Sequence, residues 1–284
     1  MSSEINHGKV ALVTGAGGGL GGAMALALAA SGARVAAADV DGIRLEALVA
    51  RAATPAIRQR VVPFTVDLAD RGDCAALVAR VLERCGDLTM LVNNAGVGQQ
   101  ALDPAYSTAQ AMTFWDAGID GWETIINTNV RAPVLLAQAA VRHFMAKRQG
   151  RVVNVSTSFD TMIAPKVWAY GQSKAAVEAM TASLAALLDA TPVTMNILVP
   201  GGPANTGLLP ANTDLPRDKI IQPPVMGPPI VWLASDDASS FSGRRIIARL
   251  WDTSLPGREA AAKASAPAAW PGFGTQAVQP GRQA

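Results

Sequence analysis

From residue 9 to about 100 the chain alternates short apolar runs with longer alanine- and leucine-rich segments, and this alternation constrains the fold most. The runs "KVALVT", "ARVAAAD", "QRVVPFTVD" and "LTMLVNNAG" read as strands, being short, apolar and rich in β-branched residues. Between them "LGGAMALALAASG", "GIRLEALVARAA" and "RGDCAALVARVLERCG" have helix-forming composition. The first of these is predicted to stop at Gly32, placed as a C′ residue. Strands separated by helices cannot close as hairpins, so they pair in parallel through crossovers. The pattern continues with a helix around 120 to 147, the strand "GRVVNVS", a helix from about 169 to 190 and the strand "VTMNILV". The predicted fold is α/β: a single doubly wound, Rossmann-type domain with a central parallel sheet and helices on both faces, spanning residues 1 to 252.

Composition excludes several classes. Charged residues are 16% of the chain, the net charge is +2, and the basic residues are scattered. Without a basic stripe and stacking aromatics, nucleic-acid binding is not expected. The longest glycine-free apolar run, "AMALALAA", is far too short to span a bilayer, and "MSSEINHGKV" lacks the apolar core of a signal peptide. No membrane association is expected, and the predicted location is cytoplasmic. Cys74 and Cys85 stand apart from the two histidines, His7 and His143, so no metal site is expected.

A glycine-rich segment, "TGAGGGLG", joins the first strand to the first helix, where a phosphate-binding turn belongs. It reads either as G-x-G-x-x-G from Gly17, Gly19 and Gly22, or as T-G-x-x-x-G-x-G from Gly15, Gly19 and Gly21, with Leu20 inside the turn. Because the strand ends at Thr14, the turn should begin at Gly15, which favours the second. Asp39 closes the second strand, 24 residues past Gly15. There a carboxylate can accept from ribose hydroxyls and repel a 2′-phosphate. The loop offers no Arg or Lys to receive such a phosphate, so NAD is expected over NADP.

With "TGAGGGLG", "NNAG" at 93–96, "NTNV" at 127–130, "NVSTS" at 154–158, "YGQSK" at 170–174 and "PGG" at 200–202, the chain resembles the short-chain dehydrogenases/reductases over about residues 8 to 245. The resemblance implies an oxidoreductase that moves a hydride between a nicotinamide and the CH–OH carbon of a small alcohol or ketone. It makes Tyr170 the general acid/base and Lys174 its partner. A free phenol ionises near pH 10, and an ammonium one helical turn away is expected to lower that value. Asn129 matches the family's helix asparagine, which holds a water on the route to the lysine. Asp67 and Leu68 match the pair near the adenine, Asn93, Ala95 and Gly96 the segment that packs the central sheet and lines the adenosine ribose, and Pro200 and Gly201 the nicotinamide loop. Assembly as a homodimer or homotetramer is also implied. The alternatives are a non-catalytic dinucleotide sensor on the same fold and an NADP-dependent carbonyl reductase.

The chain departs from the family pattern at the orienting serine, at "PGGPANTG", which is one residue longer than usual and whose Pro203 has no N–H to offer, and at the C-terminal exit "GRRIIARLWDTSLPG". The substrate-orienting serine stands thirteen residues before the tyrosine, where this chain has Thr157; Ser158, one position on, has the expected residue type. We expect Thr157 in the orienting position with Ser158 as a second donor. The proline-rich stretch 201–229 is predicted to be a mobile lid over the sheet's C-terminal edge, and 253–284 a Pro/Ala/Gly-rich tail.

Overall fold

A computed structural model describes residues 4–104, 106, 113–210, 213 and 215–274. Eight strands form one sheet: β1 (Val10–Thr14), β2 (Arg34–Asp39), β3 (Val61–Thr65), β4 (Met90–Asn93), β5 (Gly150–Val155), β6 (Val193–Val199), β7 (Arg244–Ile247) and β8 (Ser265–Pro267). Their order is β3-β2-β1-β4-β5-β6-β7-β8, with every pair parallel except β7 and β8. All residues of β1, β5 and β6 are buried, because helices cover both faces of the sheet.

The helices are α1 (Gly19–Ala30), α2 (Gly42–Ala50), α3 (Pro55–Arg60), α4 (Arg71–Cys85), α5 (Ile119–Ile126), α6 (Ala132–Lys147), α7 (Phe159–Met162), α8 (Trp168–Leu187), α9 (Gly227–Ala234) and α10 (Gly257–Ala264). Met24, Leu28, Leu45, Ile230 and Leu233 pack one face, and Phe64, Leu77, Val81, Leu136 and Phe144 the other. Strand order reverses direction between β1 and β4, which opens a crevice at the strands' C-terminal ends.

Four details differ from the sequence reading. Residues 55–60 form α3 where a strand was expected to begin; Thr54 caps it and Pro55 stands in its first turn, a position that needs no N–H. The helix expected over 120–147 is interrupted by a π-turn at Asn127–Arg131. The stretch predicted as a lid to residue 229 ends earlier, because a 3₁₀ turn spans Pro223–Met226 and α9 starts at Gly227, its prolines again confined to the first turn. Of that stretch, residues 211, 212 and 214 lie outside the described residues. Finally, the segment read as a tail supplies α10 and then β8, which pairs antiparallel with β7 through Arg245 and Ala266, so it completes the sheet edge.

Candidate active site

The crevice holds a continuous cavity of about 940 Å³, lined at one end by Gly15, Asp39 and Asp67 and at the other by Thr157, Tyr170, Lys174, Pro200 and Gly201. At the first end, Thr14 fixes the turn. Its Oγ1 accepts from the backbone N–H of Asn94 (3.0 Å) and Ala95 (3.1 Å), while Asn94 Nδ2 donates to the carbonyls of Thr14 (2.8 Å) and Gly15 (3.2 Å). Gly15 has φ +63°, and a Cβ on Gly21 would lie 2.2 Å from the Gly15 carbonyl oxygen, so glycine is required at both positions. Helix α1 then opens at Gly19, Leu20 and Gly21 with no side-chain cap and no acidic residue in its first turn. Its positive end therefore meets the cavity unneutralised, a setting for an anionic group.

Asp39 leans over this turn and accepts from Gly17 N–H at 2.9 Å and Asp41 N–H at 3.1 Å. Arg44 borders the same spot. A Cβ on Gly17 would be 2.7 Å from Arg44 Cβ and 3.0 Å from Asp39 Oδ2. Its guanidinium pairs with Asp41 at 3.0 Å. The sequence reading missed Arg44 because it looked for a cation only within the loop. The signal was Asp41, which caps α2 and puts Arg44 in the first turn. Asp67, Leu68, Ala95 and Gly96 also line the cavity. Asn93 does not line it. Its amide points into the sheet interior and donates to Asn154 Oδ1 at 2.8 Å, with Asn154 Nδ2 in turn donating to Thr181 Oγ1 at 2.8 Å. It faces away because Asn93 ends β4 in register with Asn154 of β5.

At the other end, α8 carries Tyr170 and Lys174 on one face. The Lys174 ammonium donates to the Val155 carbonyl at 2.8 Å and lies 5.8 Å from the Tyr170 ring centroid. Burial lowers its pKa to about 8, against the opposing carboxylate of Glu178. Burial pushes the Tyr170 phenol up to about 12, against the opposing hydrogen bond with Thr157. The expected lowering of the phenol by the ammonium is thus not what this arrangement produces. The charge is turned toward Val155, and loss of hydration dominates.

The two hydroxyl candidates separate by local structure. Thr157 lines the cavity beside Tyr170, and its side chain opposes the rise of the phenol's pKa. Ser158 caps α7, accepting from Thr161 N–H at 3.3 Å and pairing with Thr161 Oγ1 at 2.8 Å. Capping uses the hydroxyl that the sequence reading assigned as a second donor. We therefore expect Thr157→Val to lower kcat by about 10²-fold, the scale of losing one donor to a reacting oxygen, and Ser158→Ala by only a few-fold. Equal losses in steady-state kinetics would contradict this assignment.

Asn129 sits in the π-turn, buried behind the cavity wall. Its amide clamps Val97, accepting from the Val97 N–H and donating to its carbonyl, both at 2.9 Å, and also donates to Ser173 Oγ at 3.0 Å. Ser173 lies between Tyr170 and Lys174 and donates to the Tyr170 carbonyl at 2.7 Å. Asn129 therefore ties the 96–99 segment to α8, and it does not line the cavity. A second support was invisible in the sequence. Buried Glu178, one turn beyond Lys174, accepts from Arg245 Nε at 3.0 Å and Ala269 N–H at 3.2 Å. Arg245 donates onward to the Thr157 carbonyl at 2.6 Å and stacks on Phe159.

Among the described residues no cluster of His, Cys, Asp and Glu could hold a metal ion, and no helix is long and apolar enough to cross a membrane. Residues 9–214 match the short chain dehydrogenase family. The chain is 30% identical over 248 residues to the 3-oxoacyl-[acyl-carrier-protein] reductase FabG of Thermotoga maritima, covering 84% of this chain and 96% of that protein. It is similar to a 3-ketoacyl-(acyl-carrier-protein) reductase from Brucella melitensis complexed with NADH, with 26% identity, a TM-score of 0.70, and 84% and 95% of the two chains covered. It is likewise similar to a short chain dehydrogenase from Burkholderia cenocepacia in complex with NADP, with 30% identity, a TM-score of 0.68, and 83% and 94% covered. With residues 9–214 matched and this identity over most of both chains, the chain belongs to the short-chain dehydrogenase family.

Proposed function

We propose that the protein is an NAD-dependent oxidoreductase that interconverts a secondary alcohol and a ketone, with Tyr170 as general acid/base. The observation that carries this reading is one cavity faced at its far end by Thr157, Tyr170 and Lys174, and at its near end by the glycine turn and Asp39. The residues present suit a nicotinamide dinucleotide. The turn at Gly15, Gly19 and Gly21 is a cradle that a Cβ would fill, and the bare start of α1 favours a pyrophosphate. We assign Asp39 and Asp67, which line one end of the cavity, to the adenosine, and Lys174, Pro200 and Gly201, which line the other, to the nicotinamide. When bound, that group takes or gives the hydride.

The chain's own residues do the rest. Thr157 donates a hydrogen bond to the substrate oxygen and orients it. Tyr170 removes the hydroxyl proton in oxidation and returns it in reduction. Lys174, held on Val155, stands one helical turn from Tyr170 at the nicotinamide end of the cavity. Asn129 and Ser173 keep the cavity wall fixed against α8. We read the exposed apolar Val134 and Met145 of α6 and Leu187 of α8 as surface for a homodimer or homotetramer.

A panel of secondary alcohols at alkaline pH, with NAD and NADP compared by absorbance of the reduced nucleotide, tests the proposal. Steady turnover separates an enzyme from a non-catalytic sensor. Asp39 should set nucleotide choice, since a carboxylate beside a 2′-phosphate costs several kcal/mol. Asp39→Ser should narrow the kcat/KM preference for NAD by about 10- to 1000-fold. Arg44 gives the NADP reading its one specific support, because it borders Asp39 in the cavity. Adding Arg44→Ala to Asp39→Ser should reverse much of that narrowing. A wild-type preference for NADPH would defeat the assignment of Asp39.

A further inference from the structure

Gln99 is 1% exposed and lines the cavity, yet among the described residues neither its Nε2 nor its Oε1 has a hydrogen-bond partner. A buried amide left unpaired is costly, and most are satisfied by protein or ligand. Its neighbour Gln100 shows the contrast, since Gln100 Nε2 donates to the Leu208 carbonyl. The backbone at Gln99 is fixed on both sides. Val97 is clamped by Asn129, and the 3₁₀ turn Gln99–Ala101 is closed by Leu102 N–H donating to the Gln99 carbonyl at 3.0 Å. Because Asn129 also bonds Ser173, which lies between Tyr170 and Lys174, the backbone leading into Gln99 is tied to the helix that carries the reacting phenol.

We propose that Gln99 is a substrate-specificity residue that binds a neutral hydroxyl of the substrate, separate from the reacting oxygen, so that the substrate is a diol or hydroxyketone. This rests on the reading of Tyr170 as the acid/base of an alcohol–ketone interconversion. A primary amide offers a donor and an acceptor side by side, and a hydroxyl can satisfy both. A carboxylate can satisfy only the donor and would face the amide oxygen. Charge points the same way. Among the described residues the charged groups lining the cavity are Asp39, Arg44 and Asp67 at the glycine-turn end and Lys174, whose ammonium is bonded to Val155. No cation beyond Lys174 stands at the Tyr170 end to receive an acidic substrate. The hydroxyls of Ser158 and Thr161, also lining it, are bonded to each other. Gln99 is thus a polar recognition element with nothing to recognise in the protein itself.

The test uses pairs of probes in which a methyl replaces a hydroxyl: propane-1,2-diol with butan-2-ol, butane-1,3-diol with pentan-2-ol, and pentane-1,4-diol with hexan-2-ol. Oxidation is followed with NAD for the wild type, Gln99→Met and Gln99→Leu, with NADH affinity as the folding check. In at least one pair the wild type should favour the diol in kcat/KM by about 10- to 100-fold, and both variants should erase most of that preference. The spacing at which this happens reports the distance between the two hydroxyls. Because the substitutions remove an unpaired buried polar group, Gln99→Met should not lower Tm. Diol-to-alcohol ratios near one in every pair, or ratios that survive both substitutions, would overturn the proposal while leaving alcohol oxidation intact. A fall in Tm of several degrees with unchanged ratios would mark Gln99 as a packing residue and overturn it too. If NADH binds and no alcohol of the six is oxidised, the proposed reaction itself fails, and this inference with it.

Discussion

Tyr170→Phe should lower kcat by at least about 100-fold and leave NADH affinity within a few-fold of wild type, because the substitution removes only the acid/base hydroxyl. The side chain faces the cavity beside Thr157, and the ring keeps its packing when the hydroxyl is gone. The pH profile adds a sign that a purely structural tyrosine would not give. Burial pushes the phenol up to about 12. Alcohol oxidation requires the deprotonated form, so on the acid side of that value kcat should rise with pH by up to about tenfold per unit. Ketone reduction requires the neutral phenol and should stay flat over the same range. A variant retaining more than about a hundredth of the wild-type rate, or an oxidation rate indifferent to pH, would remove Tyr170 from the acid/base role.

Arg245→Ala should cost about 3–5 kcal/mol of stability, far more than loss of an exposed ion pair. Glu178 is fully buried and its side chain meets Arg245 at 3.0 Å, so removing the guanidinium leaves a carboxylate with only the Ala269 N–H. For a chain of this size the loss corresponds to a fall in Tm of roughly 10 °C, measurable by calorimetry. Turnover should fall as well, since Arg245 also holds the Thr157 carbonyl. The double variant Arg245→Met with Glu178→Leu replaces the pair by apolar groups and should recover most of the stability, while kcat stays low because Thr157 remains unsupported. A Tm loss of only a degree or two for Arg245→Ala would show that the pair behaves as a surface contact.

What the sequence determined by itself was local. Strands covered on both faces are dominated by short apolar, β-branched runs, so β1, β2, β5 and β6 could be bounded closely from letters alone. The turn at Gly15, the carboxylate of Asp39 and the four-residue step from Tyr170 to Lys174 are likewise properties of short spacing, fixed by strand ends and helical pitch. The structure decided what depends on which faces meet. Thr157 and Ser158 are adjacent in sequence, and only the start of α7 turned one to Tyr170 and the other to a cap. Asn93 and Asn129 carry family motifs, yet sheet register and a π-turn direct both amides into the protein frame. Glu178 and Arg245 lie 67 positions apart, and they meet because α8 packs over the β6–β7 edge that the C-terminal strand completes. No period or spacing encodes such a pairing. It follows from the order of strands in the sheet, which sets the neighbours of the buried polar groups packed against it.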